Sequence, residues 1–322
     1  MKIQIVTPAP VKSTYGNRIT AERWAKILRQ LGHRVSISQR YEGKPADLLV
    51  ALHARRSYSS IRRFRLEHPD NPVVLALTGT DVYRDIPEHP GAQESLALAN
   101  KIVVLQPNAL RELTPVQRKK AVVIYQSVEL PASGKPRAKA AGNHFDVCVI
   151  GHLRPVKDPF RAALAARMLP ASSRIRVINI GGAMSKQMEQ CARAEMQRNR
   201  RYVWLGPQPR RRTLRYLSAS KLCVISSRME GGANILSEAI VVGVPVLVSR
   251  IPGNVGIVGD NYPGLFPAGN TRELRKLMLR AESDRKFLRK LQHHVETLAP
   301  LCDPKREQDA WLRLLAELSN RA

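Results

Sequence analysis

The chain opens on an apolar run, residues 2–8 (KIQIVTP), and passes into a polar loop punctuated by proline and glycine, TPAPVKSTYGN. Residues 19–33 change the period. Trp24, Ile27, Leu28 and Leu31 recur at three- and four-residue spacing and share one helical stripe, and Gly32 stands where a helix should stop. Further strands follow at VSISQR, DLLVALH, VVLALTG, KIVVLQ and AVVIYQS, with a short helix over 108–113. Runs this continuously apolar suit a parallel sheet covered on both faces.

From Leu130 to Asn143 the composition shifts to Pro, Gly, Lys and Ala, which reads as a linker. A second alternating series then begins. Strands are expected at FDVCVIGH, IRVINIG, YVWLG, KLCVISS and VPVLVS. Helices are expected at 159–168, SKQMEQCARAEMQRN, RRTLRYLSAS and NILSEAIVVG, then over 271–289 and 309–318. The expectation is an α/β protein of two doubly wound, Rossmann-like domains. A first domain over 1–130 is joined by a linker, 131–143, to a second over 144–300, with a last helical segment over 301–322. A length of 322 residues suits two cores.

Composition narrows the class. Apolar residues make up 43% of the chain, enough for large cores. Cys148, Cys191, Cys223 and Cys302 have no metal-type spacing, and Cys148 and Cys223 lie inside apolar strands as small core residues. No signal peptide and no stretch long enough for a membrane span are visible, so a cytoplasmic protein without stable membrane insertion is expected. The net charge is +27, from 53 basic and 26 acidic side chains. Nucleic acid, an anionic lipid surface or a polyanionic small substrate could each answer that excess. With only 5% aromatic residues and none interleaved with basic ones in a recognisable motif, nucleic acid is not the expected partner.

The stretch from Ser226 to Gly253, SSRMEGGANILSEAIVVGVPVLVSRIPG, carries the densest chemistry. Glu230 and Glu238 flank it with seven residues between them, around the Gly231-Gly232 turn. That turn sits where a helix begins, so its N–H groups are free for an anion. A phosphate cradle beside two acceptors for sugar hydroxyls is what a nucleotide-sugar site needs. Upstream, VIGHLRPVKDP places Gly151, His152, Arg154 and Lys157 just past a strand end, the edge where open α/β sheets bind ligands. A Lys and an Arg there can neutralise a diphosphate as it leaves.

These pieces resemble the nucleotide-sugar domain of the retaining GT-B glycosyltransferases, the group containing relatives of sucrose and glycogen synthase. GHLRPVK, INIGGA, Glu230 to Glu238-Ala239 and GVPV stand in that family's order between Val147 and Gly259. The resemblance implies two Rossmann-like domains facing a central cleft, with the helix of 301–322 packing back on the first domain. Lys157 and Arg154 would hold the UDP diphosphate and Glu238 the ribose hydroxyls. Glu230 would contact the donor sugar. The backbone of Gly231, Gly232, Ala233, Asn234 and Ile235 would meet sugar and phosphates. Two positions depart from the family pattern. His152 replaces the Arg that usually follows the glycine, leaving open whether His152 or Arg154 takes the diphosphate. PGNVGIVGD has Gly256 near the place of a usual Glu.

The first half resembles something narrower. TPAP, GNRITAERWAKILRQLGH, LLVALHARRS and ALTGTDVYRD are similar to the selenosugar synthases of selenoneine biosynthesis. That resemblance implies a transfer from a UDP-sugar, typically UDP-N-acetylglucosamine, to selenophosphate, with UDP and phosphate released and neither cofactor nor metal required. An acceptor already nucleophilic and anionic needs anion contacts more than a base. His53, Arg55 and Arg56 follow one strand; Thr78, Gly79 and Thr80 follow another; Lys12, Asn17 and Arg18 lie at the first loop. All are candidates for the acceptor. Asp81 is read as a capping residue, Trp24 as core, and Arg210, Arg211, Arg212 and Arg215 as a solvated helix face. An ordinary glycosyltransferase acting on a lipid or glycan at a membrane surface, and a basic nucleic-acid-binding protein, remain as alternatives.

Overall fold

The computed structural model describes residues 1–130 and 143–319. The expected linker, 131–143, lies outside the described residues except for Asn143. The chain forms two compact units. One comprises Met1–Ser127, Glu230–Ala233 and Asp303–Ala322, the other Val128–Met229 and Asn234–Cys302.

In the first unit the order is β1 (Lys2–Val6), α1 (Gly16–Gln30), β2 (Arg34–Ser38), β3 (Leu48–Leu52), α2 (Tyr58–Glu67) and β4 (Val73–Leu77). A π-helical turn, Asp81–Asp85, runs into α3 (Ile86–Glu88) and α4 (Pro90–Leu98), followed by β5 (Lys101–Val104), α5 (Pro115–Lys119) and β6 (Ala121–Val123). All pairings are parallel and the strand order is β2-β1-β3-β4-β5-β6. Every residue of β3 and β4 is buried, because helices cover both faces. The topological switch lies between β1 and β3, so ligands are expected at the loops past those strands.

The second unit runs β7 (Phe145–Ile150), α6 (Arg161–Arg167), β8 (Ile175–Ile180), α7 (Lys186–Arg198), β9 (Tyr202–Trp204), α8 (Arg210–Ala219) and β10 (Leu222–Ile225). It continues with α9 (Asn234–Val242), β11 (Val246–Ser249), α10 (Pro252–Val258), β12 (Leu265–Phe266), α11 (Thr271–Ser283) and α12 (Arg285–Thr297). The parallel order β12-β11-β10-β7-β8-β9 is that of a dinucleotide-binding sheet, with its switch point between β7 and β10. The last helix, α13 (Pro304–Ser319), belongs to the first unit. There Trp311 packs edge-on against Trp24 of α1, with ring centroids 4.9 Å apart.

Several elements differ from the sequence expectation. The single helix over 271–289 is two helices broken at Asp284, whose carboxylate accepts the Lys286 and Phe287 N–H groups at 2.9 Å as an N-cap. The short helix near 108 is a 3-10 helix, Pro107–Glu112. The helix expected from 309 already begins at Pro304. Helices α2, α4 and α10 have no counterpart in the sequence expectation. In α10 five of seven residues are buried, so it has no polar face to reveal a period. Among the described residues no helix is long and apolar enough to cross a membrane, and no three His, Cys, Asp or Glu side chains converge as metal ligands.

Candidate functional site

In the second unit, two glycine-bearing loops are zipped together past β7 and β8. Gly151 N–H donates to Ile180 O at 2.9 Å, Leu153 N–H to Gly182 O at 2.9 Å, and Met184 N–H to Leu153 O at 3.0 Å. Gly181 has φ +152°, and a Cβ there would run into the Gly151 carbonyl oxygen, so only glycine fits the approach. The His152 ring lies beside Gly182. Arg154 is exposed and Lys157 half-buried on the 3-10 turn Pro155–Lys157.

That loop is tied to the end of β10, across the switch point. Ser226 Oγ donates to Asp158 O at 2.8 Å, and Arg228 N–H to Val156 O at 2.8 Å. Asp158, at φ +45°, takes Arg161 at 2.9 Å and Arg228 at 3.8 Å. Lys157 is thus held at the carboxyl edge by a backbone fixed at both ends. Glu238 is the fifth residue of α9, where it pairs with Arg210 Nε of α8 at 3.4 Å. Arg210 is exposed, in keeping with the solvated-face reading, and from that face it also reaches the carboxylate proposed for the ribose. Asn234 and Ile235 open α9, and Ile235 is buried.

In the first unit, Asp81 is fully buried and ties two strand-end loops. Its carboxylate accepts the N–H groups of Ala54 at 3.0 Å, Gly79 at 2.8 Å and Thr78 at 3.4 Å. It fastens the loops rather than capping a helix through its side chain. Beside it, His53 adopts φ +78° and is 3% exposed. Its Nδ1 accepts the Arg56 N–H at 3.4 Å, which leaves Nε2 to carry the proton of the neutral ring, 3.3 Å from Thr80 Oγ1 and 3.7 Å from Asp85 Oδ2. Burial pushes the His53 pKa down. The Asp81 and Asp85 charges oppose that shift, while Arg56 and Arg84 add to it.

Asp85 escaped sequence reasoning; the only signal was a second Asp four residues beyond Asp81. Its Oδ1 faces Arg84 at 3.2 Å and Arg55 at 3.5 Å, and its buried Oδ2 has no hydrogen-bond partner among the described residues. Thr78 Oγ1 is likewise buried without one among them. Arg56 is exposed.

The turn Glu230–Ala233 belongs to this unit and presses on the same loop. A Cβ on Gly231 would stand 2.6 Å from both Gly79 N and Thr78 C. Glu230 is 8% exposed, and Gly231, Gly232 and Ala233 are buried. Lys12, at φ +61°, is exposed, and Asn17 is half-buried in the first turn of α1. Arg18 is buried, pairs with Glu22 at 2.7 Å, and keeps Nη1 without a hydrogen-bond partner among the described residues. Helix α1 starts with no side-chain cap and no acid in its first turn.

The match to known proteins follows this geometry. Residues 135–297, just over half of the 322-residue chain, match the family described as glycosyl transferases group 1. The chain belongs to that family, and its two parallel six-stranded sheets with alternating helices are the GT-B fold. Among solved structures, Anabaena HepE, determined with UDP and glucose, superposes with a TM-score of 0.77 at 16% identity, covering 98% of this chain and all of its own. Sucrose-phosphate synthase of Thermosynechococcus elongatus gives 0.80 at 15% identity with both chains fully covered. Trehalose 6-phosphate synthase of Burkholderia multivorans gives 0.71 at 14% identity, covering 95% of this chain and 76% of its own. No curated protein matches the chain in sequence.

Proposed function

We propose that this glycosyltransferase uses a UDP-sugar, typically UDP-N-acetylglucosamine, as donor and selenophosphate as acceptor. Selenium attacks the anomeric carbon while the bond to the β-phosphate oxygen breaks, its electron pair leaving with UDP. Water then cleaves the Se–P bond, giving a 1-seleno-sugar and phosphate. Lys157 and Arg154 neutralise the leaving diphosphate, Glu238 accepts from the ribose, and Glu230 meets the sugar. UDP is bound by the HepE protein of similar fold, which supports the donor.

One observation carries the anionic acceptor. Arg18 buries a guanidinium nitrogen with no partner at the start of a helix that has neither a side-chain cap nor a first-turn acid. Both features favour an anion with several oxygens. Thr78 Oγ1 supplies a further unpaired group. A second reading, transfer to the hydroxyl of a lipid or glycan, is favoured by Asp85 Oδ2, an open acceptor 3.7 Å from His53.

The deciding assay is anaerobic. The purified protein is incubated with UDP-N-acetylglucosamine and fresh selenophosphate, and the product is examined by mass spectrometry while UDP release is followed. A product bearing the selenium isotope pattern supports the reading. UDP release without it leaves a glycosyltransferase with a different acceptor. Replacing Glu238 by Ala should weaken UDP binding strongly in calorimetry; unchanged affinity removes that residue's role.

A further inference from the structure

The Gly232 carbonyl is held by a side chain far away in sequence. Gln126, just past β6 and 4% exposed, donates Nε2–H to Gly232 O at 2.6 Å. Its Oε1 accepts from Thr20 Oγ1 and from Arg23 Nη2, both at 3.0 Å. A guanidinium cannot accept, so the amide has one orientation and its NH2 must face Gly232.

Arg23 is itself fixed by Glu307 of α13, at 3.0 Å from Oε2. Glu307 is 2% exposed. It also accepts from Trp24 Nε1 at 2.7 Å, from the Ser127 N–H at 3.0 Å and from the Ser127 hydroxyl. A Cβ on Gly232 would lie 2.8 Å from Leu105 Cβ and 3.2 Å from Gln126 Nε2. Leu105 and Gln126 thus close on the turn together, at a position with room only for glycine.

We infer that Gln126 is a positioning residue for donor transfer, acting through the Gly232 carbonyl. This rests on the functional reading above. In a trans peptide the C=O and the following N–H point in opposite directions. Fixing Gly232 O toward Gln126 therefore aims the Ala233 N–H away from it. It also sets the turn that carries Glu230, the side chain assigned to the donor sugar. Lys157, Arg154 and Glu238, the side chains assigned to the nucleotide, lie outside this turn, so its misplacement costs rate more than it costs nucleotide affinity.

The test compares Gln126→Ala and Gln126→Glu with the unmodified protein. In the Glu variant both Oε1 contacts survive, but an oxygen replaces the Nε2 donor to Gly232 O. UDP release from UDP-N-acetylglucosamine gives kcat and KM, calorimetry gives UDP affinity, and thermal melting reports the fold. The expected result is a fall in kcat of about tenfold to a hundredfold in both variants, with UDP affinity changed much less and melting temperature retained. Unchanged kcat in both overturns the inference while leaving the function intact. A parallel loss of kcat, UDP affinity and melting temperature in both also overturns it, because that is the mark of packing alone. If the unmodified protein neither binds UDP nor releases it from the donor, the functional reading fails and the positioning role falls with it.

Discussion

Gly231 lies against Gly79 so closely that a methyl group added to Gly231 would stand 2.6 Å from the Gly79 nitrogen, whereas one added to Gly79 would stand 3.8 Å from the Gly231 nitrogen. The contact is asymmetric, and so is the expected consequence. Gly231→Ala forces backbone against backbone, which has no flexible end to yield, and should cost about 1–3 kcal/mol. It should also abolish UDP release from a UDP-sugar. Gly79→Ala meets ordinary van der Waals distance and should stay within about 0.5 kcal/mol. Melting curves and turnover of the two variants decide it; equal effects would remove the close contact as the cause.

Asp81 gathers three backbone N–H groups from two loops in a fully buried position. Replacing it by Ala leaves those donors without an acceptor, at a cost of about 2–4 kcal/mol. Asn keeps one acceptor oxygen but turns its NH2 toward a backbone N–H, so it should rescue only part of the loss. Denaturant unfolding of the Ala and Asn variants checks the order. Full rescue by Asn would mean that one oxygen is enough, either Oδ1 with Gly79 or Oδ2 with Ala54 and Thr78.

Much of the scaffold was legible because burial is two-sided in the strands and one-sided in helices such as α1. DLLVALH and VVLAL read as parallel strands, and Trp24, Ile27 and Leu28 fall on the buried stripe of α1. Helix α10 was missed because burial on most of its surface erases the period. The break at Asp284 was missed because α11 and α12 are both strongly amphipathic, so the pattern runs through a cap whose evidence is a pair of hydrogen bonds. The same limit applies to the site. Gly231 and Glu238 stand out through local spacing, but Gln126 reaches Gly232 across 106 positions and Glu307 reaches Trp24 across 283. No periodicity encodes such pairs. Arg210 is a surface arginine like its neighbours, and only the packing of α8 on α9 shows that it stands beside Glu238.

His53 predicts a pH signature in stability. Its pKa is lowered in the folded protein, chiefly by burial. As pH falls below the ordinary value of 6.5, the unfolded chain takes up a proton that the folded chain does not. Stability from the neutral, buried ring is therefore fully present above that pH. It is lost progressively on acidification, down through the lowered pKa. Asn is the substitution of choice, since it tolerates the φ of +78° at this position. The difference in unfolding free energy between wild type and His53→Asn should be flat above neutrality and shrink toward acid. A difference that stays constant across that range would show that His53 does not titrate between the two states.

The two buried tryptophans make the last prediction, because they are alike in packing and unlike in hydrogen bonding. Trp24 and Trp311 are both fully buried and meet edge to face at 4.9 Å. Trp24 Nε1 donates to Glu307 at 2.7 Å, while Trp311 Nε1 is buried with no hydrogen-bond partner among the described residues. Changing either to Phe removes similar volume, so the cavity penalty largely cancels between the variants. What remains is the polar difference. Trp24→Phe takes a donor from a buried carboxylate, whereas Trp311→Phe removes an N–H that was already unsatisfied. Trp24→Phe should therefore be the more destabilising by about 1–3 kcal/mol. Unfolding followed by circular dichroism measures the gap without depending on the fluorophore removed. Equal losses would mean that Glu307 replaces the Trp24 donor at no cost, leaving packing alone to set the value of both rings.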